Sequence, residues 1–188
     1  MDPRRVTAKR PSQLPLPIDL VRRYRGQTYF TQIWALGHRL HRAGVPLLPK
    51  AIDIFCRVVF SADVTVRANI GDQVVFMHNG MGTAIHTKVV IEGPGIVFQN
   101  VTIGESMGLR PGTPSIGRKV VIGAGAVIIG PVTVGEGSII GANAVVVRDV
   151  PPHSLAVGNP AEIRPVNRRL VDSHFDEPEA SAETPQAA

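Results

Sequence analysis

Large aliphatic residues recur at every sixth position along much of the chain. The residue that follows is often a glycine, and the residue four positions on is small or β-branched. A helix repeats about every 3.6 residues, so a period of six would scatter these side chains around its circumference. The pattern therefore excludes a helix in this region. The series comprises Val64, Ile70 and Phe76, then Ile85, Ile91, Val97 and Ile103, then Ile116, Ile122, Ile128, Val134, Ile140 and Val146.

This period suits short flat strands joined by tight corners. The aliphatic side chain points inward, and glycine supplies corner conformations that other residues avoid. Three strands complete one triangular coil, and each coil stacks on the next because a single coil cannot bury its own core. The sequence therefore predicts a mainly β fold, a parallel β-helix over residues 61–166.

Two interruptions break the period. The step from Phe76 to Ile85 is nine residues and contains "MHNGMGTA"; the step from Ile103 to Ile116 is thirteen and contains "GESMGLRPGTPS". Extra residues in a solenoid must leave its wall as loops, and function collects on loops that a rigid scaffold holds. We therefore expect the functional residues at these two excursions.

The N-terminal part has a different pattern. Residues 28–43 read as a helix closed by Gly44 and Pro46, and residues 47–60 as a second, amphipathic helix. We expect these helices to cap the open end of the solenoid, giving a small α-helical cap over residues 17–60. Residues 1–16 are expected to form a disordered basic arm, and residues 167–188 a C-terminal tail.

Composition narrows the class of protein. The chain has 188 residues, of which 44% are hydrophobic and only 5% aromatic, so the core must be built from Val, Ile and Ala. Cys56 is the sole cysteine and cannot form an internal disulfide. The N-terminus has no apolar stretch like that of a secretory signal, so we expect a cytoplasmic protein.

Charge is concentrated at the N-terminal end. The first 60 residues hold 11 Lys or Arg against 3 Asp or Glu. This excess of positive charge is compatible with a solvated face, with binding to an anionic membrane surface or with binding to the phosphates of a cofactor. The sign of the charge alone does not distinguish these three. No nucleic-acid-binding motif is present. Lys50, Asp53 and Arg57 interrupt the second helix, so it should not span a bilayer, although peripheral membrane contact through the basic helices stays open.

Three stretches resemble a known family. They are "VTIG" at residues 101–104, "IGAGAVIIGPVTVGEGSIIGANAVV" at 122–146 and "VPPHSLAVGNPAEI" at 150–163. They are similar to the hexapeptide-repeat acyltransferases, in the serine-acetyltransferase-like branch that includes O-acetyltransferases of bacterial surface polysaccharides. The resemblance implies a left-handed β-helix, a homotrimer with active sites between subunits, and acetyl-CoA as co-substrate.

The family uses a histidine as general base on the acceptor hydroxyl, a task for which imidazole is well suited near neutral pH. His78 lies in the first excursion and is the predicted base. His86 is a second candidate, as a catalytic partner or as a structural residue. Asn79, beside His78, is a predicted acceptor contact.

The acceptor prediction rests on two departures from the serine enzymes. Their Asp-His-Ala-Thr-Gly motif is replaced by "MHNGMG", and their Arg-His-Pro loop by "RPGTPSIG", which leaves Arg110 as the nearby cation. We therefore expect transfer to a hydroxyl of a sugar or surface-polysaccharide precursor. The alternatives are a serine or related amino-acid O-acetyltransferase, in which Arg110 would bind the carboxylate, and an N-acyltransferase acting on an amino sugar.

The resemblance also indicates where the cofactor would lie. Small residues allow a pantetheine arm to approach the backbone, and arginine or lysine can bind the nucleotide phosphates. A zinc-dependent carbonic anhydrase with this fold would need three histidines, and only His78 and His86 are available, so no metal site is expected. The predicted cofactor-binding residues are Gly104, Ser106, Ala124, Ala142, Arg148 and Arg164, with Lys119 a further candidate for a phosphate.

Overall fold

A computed structural model describes residues 28–108 and 110–166. It begins with two helices, α1 (Tyr29–Arg42) and α2 (Leu48–Phe60), which agree closely with the helices expected at 28–43 and 47–60. Basic residues in the last turn of α1 complement the helix dipole, and Pro49 suits the first turn of α2. The arm predicted at 1–16 and the tail at 167–188 lie outside the described residues, and the division into domains stays a prediction.

Fifteen short strands follow and form three sheets, which we call faces A, B and C. Face A contains β1 (Asp63–Val64), β4 (Ala84–Ile85), β7 (Thr102–Gly104), β10 (Val127–Ile129) and β13 (Val145–Val146). Face B contains β2 (Asn69–Ile70), β5 (Val90–Ile91), β8 (Ser115–Ile116) and β11 (Thr133–Val134). Face C contains β3 (Val74–Phe76), β6 (Gly95–Val97), β9 (Val120–Ile122), β12 (Ile139–Ile140), β14 (Ser154–Val157) and β15 (Glu162–Pro165).

The chain visits faces A, B and C in turn, so each coil consists of three strands that pair in parallel with those of the next coil. Ile128 lies beside Val146, which is 18 positions further along the chain. Ile103 lies beside Ile128, at 25 positions, because the second excursion adds seven residues. The predicted fold class, a mainly β parallel β-helix with a small helical cap, is confirmed.

The six-residue series forms the core of the solenoid. All thirteen of its members are buried, and Ile116, Ile128 and Ile140 have no exposed surface. Burying a side chain of this size contributes roughly 1.5–3 kcal/mol relative to leaving it exposed. The stacked aliphatic ladders are therefore the main source of stability.

The helical cap packs on the first coil through aromatic and polar contacts. Phe30 and Trp34 of α1 are buried, and the Phe30 ring lies edge-on to Phe76 at a centroid separation of 5.2 Å. Asp53 of α2 accepts hydrogen bonds from the backbone N–H of Val66 and from the Thr65 hydroxyl. The cap and the first coil thus share one core.

The C-terminal end of the solenoid is covered by a returning strand rather than by helices. Strand β15 pairs with β14 in the antiparallel direction, whereas the other strand pairs are parallel. Residues 158–161 cover β13 of face A: the N–H of Val145 donates to Gly158 O, and the N–H of Ala161 donates to Val145 O.

Candidate active site

The first excursion is a tight turn that presents His78 to solvent. A 3-10 helix, Met77–Gly80, links face C of the first coil to face A of the second. Backbone φ is positive at His78 (51°) and at Asn79 (56°), a left-handed conformation that is uncommon outside glycine. The His78 side chain is exposed, its ring lies 6.1 Å from that of Phe98, and no described residue hydrogen-bonds to it. Both ring nitrogens of His78 are therefore without a partner among the described residues.

The helical cap contacts this turn through Phe30 of α1. Asn79 Oδ1 accepts a hydrogen bond from the backbone N–H of Phe30 at 3.5 Å, one of the donors that a helix N-terminus leaves unpaired. A Cβ atom on Gly80 would come within 2.9 Å of the Phe30 ring, so only glycine fits there. Asn79, predicted as an acceptor contact, makes this bond to α1. Sequence reasoning missed the contribution of Phe30, because a contact across 49 positions leaves no local signal.

The edge that carries His78 continues down the solenoid. We call it the CA edge, because it is where each coil passes from face C to face A. Ala124 and Ala142 lie on it two and three coils below His78, and the N–H of Asn143 donates to Ala124 O at 2.9 Å. Gln99 lies one coil below His78, and its buried Oε1 atom has no partner among the described residues.

The other predicted histidine lies on a different edge. His86 follows β4, where the chain passes from face A to face B, which we call the AB edge. Its Nδ1 atom accepts a hydrogen bond from the N–H of Lys88 at 3.3 Å, and its Nε2 atom lies 3.5 Å from Glu105 Oε2. Both ring nitrogens therefore have protein partners. Glu105 was not singled out from the sequence, although it is the only carboxylate in the second excursion.

The second excursion, residues 105–114, also leaves from the AB edge. The N–H of Ser106 donates to Gly112 O, and Ser106 Oγ accepts from the N–H of Gly108, which closes the base of the loop. Gly104 precedes it on β7. A groove of about 300 Å³ lies between this loop and the next two coils. Its lining includes Ser106, Arg110, Gly130, Arg148 and Asp149.

Two predicted phosphate-binding residues share a second depression. Arg148 and Arg164 line a concavity of about 570 Å³ at the C-terminal end of the solenoid, together with residues 157–160. Arg148 donates a hydrogen bond to Ala161 O at 3.0 Å, while Arg164 pairs with Glu162. Lys119 is separate from this group, because it lies where face B passes to face C.

Nine of the ten predicted site residues fall into two groups on opposite borders of face A. The CA edge carries His78, Asn79, Ala124 and Ala142, and the AB edge carries His86, Gly104, Ser106, Arg110 and Arg148. The tenth, Arg164, lies on β15 of face C. Within one chain the two excursions do not meet. Within residues 28–108 and 110–166, no group of three His, Cys, Asp or Glu side chains is placed to hold a metal ion.

Comparison with known proteins identifies the family. Residues 113–148 match the model of the bacterial transferase hexapeptide family, which describes six repeats. A serine acetyltransferase of Helicobacter pylori is 34% identical over 132 residues, a match that covers 69% of this chain and 75% of that relative. The chain therefore belongs to the serine-acetyltransferase-like family of hexapeptide-repeat transferases, and the predicted resemblance is confirmed.

Longer relatives match over the same region. The Mycobacterium tuberculosis serine acetyltransferase is 38% identical over 135 residues, covering 70% of this chain and 58% of that relative. The Neisseria gonorrhoeae serine acetyltransferase, solved in complex with serine, has a TM-score of 0.62 and 33% identity, covering 71% of this chain and 54% of the other. A serine acetyltransferase in complex with CoA has a TM-score of 0.63 and 33% identity, covering 72% and 55%. The chain spans just over half the length of these three proteins.

These relatives correct one prediction. A sugar or surface-polysaccharide hydroxyl was expected as the acceptor, and this is wrong, because the relatives and structural neighbours are serine acetyltransferases. The expectation rested on two short motifs that this chain lacks. The candidate residues that surround those motifs lie on two separate edges of the solenoid, so a change in a single motif is weak evidence for the acceptor.

Proposed function

We propose that the chain is a serine O-acetyltransferase, which transfers the acetyl group of acetyl-CoA to the hydroxyl of serine. The observation that carries the proposal is the match to three quarters of the Helicobacter pylori serine acetyltransferase, which includes the residues around His78. The neighbours in complex with serine and with CoA support the choice of both substrates.

His78 is the general base in this proposal. Its ring is exposed and has no hydrogen-bond partner among the described residues, and its backbone is fixed by the Met77–Gly80 turn. The imidazole takes the proton of the serine hydroxyl as the oxygen attacks the thioester carbonyl. The C–S bond then breaks, and the imidazolium returns the proton to the departing thiolate. No covalent acyl-enzyme is required. His86, whose ring nitrogens are both engaged, orders the AB edge instead.

Acetyl-CoA would lie along the CA edge. The small side chains of Ala124 and Ala142 leave the backbone accessible to the pantetheine arm below His78. The concavity lined by Arg148 and Arg164 is the proposed site of the nucleotide phosphates, since guanidinium groups bind phosphate through charge-assisted hydrogen bonds. Gly104 and Ser106 lie on the AB edge, so they would border the arm only from a neighbouring chain.

The complete site requires two chains. Arg110 is the proposed partner of the serine carboxylate, but it lies on the AB edge, across face A from His78. A neighbouring subunit that brings its AB edge to this CA edge would unite the two residues. A homotrimer provides three such junctions, and we propose that state. Asn79 orders the turn through its bond to Phe30 and need not touch the acceptor.

The acceptor is tested by following coenzyme A thiol release from acetyl-CoA with different acceptors. We expect turnover with L-serine, and O-acetylserine as the product identified by mass. Homoserine, glucosamine and nucleotide-linked sugars are the comparison acceptors. Faster turnover with any of these than with serine would overturn the assignment.

The shared site is tested by complementation. His78→Ala and Arg110→Ala chains are each expected to be nearly inactive alone. When they are unfolded together and refolded as a mixture, about a quarter of the junctions should carry both native side chains and regain activity. A mixture as inactive as its parents would show that each chain builds its own site.

A further inference from the structure

The outward side of α2 is an exposed apolar surface. Leu47 and Val58 are each 75% exposed and Ile54 is 65% exposed, proportions that are unusual for large aliphatic side chains on a packed helix. Ile54 lies seven positions after the N-cap residue Leu47, and Val58 lies four after Ile54, so the three follow one side of the helix. We call this surface the outer face of α2. It comprises Leu47, Leu48, Ile54, Phe55, Val58 and Val59.

This surface is not needed for packing of the cap. The opposite side of α2 already meets the protein, since Cys56 is buried and Ile52 and Phe60 pack against the core. Asp53 also points inward, to Thr65 and Val66. Both sides of α2 are therefore apolar, and only one has a partner among the described residues.

Cations surround the outer face of α2. Lys50 is exposed on α2 itself, and Arg39 and Arg42 are exposed near the end of α1, where the two helices are joined. Asp53 is the only carboxylate in residues 29–60, and its oxygens are engaged inward. At the other end of α2, Arg57 pairs with Asp63. Within residues 29–60, the exposed charged side chains are therefore all positive.

The sequence preceding α1 increases this charge. Residues 1–28 hold seven Lys or Arg against two Asp, and they lead directly into the cap. Phe30 of α1 contacts Phe60 at a centroid distance of 5.7 Å, so this basic segment joins the cap beside the C-terminal end of α2. This basic sequence is therefore attached to the cap at a point close to α2.

We propose that the outer face of α2 docks on an anionic lipid membrane, with its apolar side chains at the headgroup boundary and the surrounding cations on the lipid phosphates. A helix with an apolar side and flanking Lys or Arg binds such an interface by combining apolar burial with electrostatic attraction. None of the described helices is long and apolar enough to cross a membrane.

Charge argues against two other occupants, a second copy of the chain and its basic N-terminal segment. A second copy of the chain meeting this surface would bring Lys50, Arg39 and Arg42 close to their own counterparts. Residues 1–28 folding back over it would add seven cations to a surface that is already positive. Like charges in contact destabilise a complex, whereas lipid phosphates neutralise both sets.

The proposal is tested by flotation of the full chain with vesicles. We expect binding to phosphatidylcholine vesicles that contain phosphatidylglycerol, weak binding to phosphatidylcholine alone, and release as salt is raised. Lys50→Gln should weaken binding about fivefold, because one cation near an anionic surface contributes on the order of 1 kcal/mol. Ile54→Glu with Val58→Glu should weaken it by more than about tenfold.

The matched control places the same two substitutions elsewhere. Asn69→Glu with Thr133→Glu adds equal negative charge at exposed positions on face B and should change binding much less. Three results would overturn the proposal: no binding by the native chain, equal binding to neutral and anionic vesicles, or an unchanged affinity of the Ile54→Glu and Val58→Glu variant. A fall in native mass on that substitution would identify a second copy as the occupant instead.

Discussion

The hydroxyl of Thr31 accepts a hydrogen bond from the backbone N–H of Phe76 at 3.1 Å, across 45 positions of the chain. Thr31 is in the first turn of α1, and Phe76 is the last residue before the turn that carries His78. Phe76 is completely buried, so its N–H cannot turn to water. The first turn of α1 and the proposed catalytic turn thus form one structural unit.

This contact predicts that Thr31→Val lowers both stability and turnover. The valine keeps the shape but removes the acceptor, and leaving a buried N–H unpaired costs roughly 1–3 kcal/mol. Urea unfolding measures the first effect and the thiol-release assay the second, with a larger change expected in kcat than in KM. Thr31→Ser retains the hydroxyl and should restore both, whereas Thr133→Val, at an exposed position, should change neither. Loss of stability without loss of kcat would separate the cap from catalysis.

The two histidines should respond differently to the same substitution. His78→Gln is expected to reduce kcat by about two to four orders of magnitude, the usual contribution of a general base, while the melting temperature stays unchanged. His86→Gln should reduce kcat far less and lower the melting temperature, because His86 links Lys88 and Glu105 at the AB edge. Steady-state kinetics and calorimetry on both variants make the comparison. A larger kinetic loss at position 86 would reverse the assignment.

Gly123 lies at a corner of the solenoid where two coils stack closely, and we expect a larger side chain there to lower the free energy of unfolding. A Cβ atom there would lie 2.6 Å from Ala142 N and 2.9 Å from Gly141 C, both backbone atoms of the next coil. Gly123→Ala must therefore separate two coils and should cost about 1–3 kcal/mol in denaturant unfolding. Gly108→Ala is the control, since its Cβ would meet only Ser106 Oγ at 3.6 Å. Equal stability of the two variants would contradict the close stacking of coils.

Cys56 should report on opening of the cap. Burial, with a smaller contribution from the charge of Asp53, raises the pKa of its thiol to about 11. We expect almost no reaction with a thiol reagent at pH 8 in the native protein and rapid reaction in urea, because the thiolate is the reactive form.

The raised pKa of the Cys56 thiol also makes the free energy of unfolding depend on pH in the alkaline range. The native state holds the Cys56 proton more tightly than the unfolded chain, so its contribution is complete below pH 9 and is lost between pH 9 and 11. Cys56→Ala should flatten the decline in unfolding free energy over that range, measured by denaturant titration at each pH. An identical decline in both proteins would show that other groups control it.

The sequence was sufficient to predict the coils because the physical cause is local. Each corner needs a small residue and each strand an inward aliphatic, so positions such as Ile122 and Ile128 follow a fixed step. The two excursions could be located for the same reason, as departures from that step. The helix bounds also agree with the structure, since Gly44 and Pro46 mark the break between α1 and α2.

The candidate site was less predictable because its residues are brought together by stacking. Which edge a residue occupies depends on counting corners from the start of the solenoid, and this separates His78 from His86. The support of the His78 turn by Phe30 and Thr31 arises from a helix that the hexad pattern does not include. The acceptor was mistaken because the prediction relied on two short motifs, while the candidate residues Arg110 and His78 lie on opposite edges of face A.

The antiparallel pairing of β15 with β14 has a consequence for growth of the protein into fibres. A stack of parallel coils with a bare last rung would offer its free amides and carbonyls to the first rung of another molecule. Here the returning strand reverses the hydrogen-bonding direction at one end, and α1 with α2 blocks the other. Among the described residues, the parallel stacking of face C therefore stops at β14 and does not end in an open parallel rung.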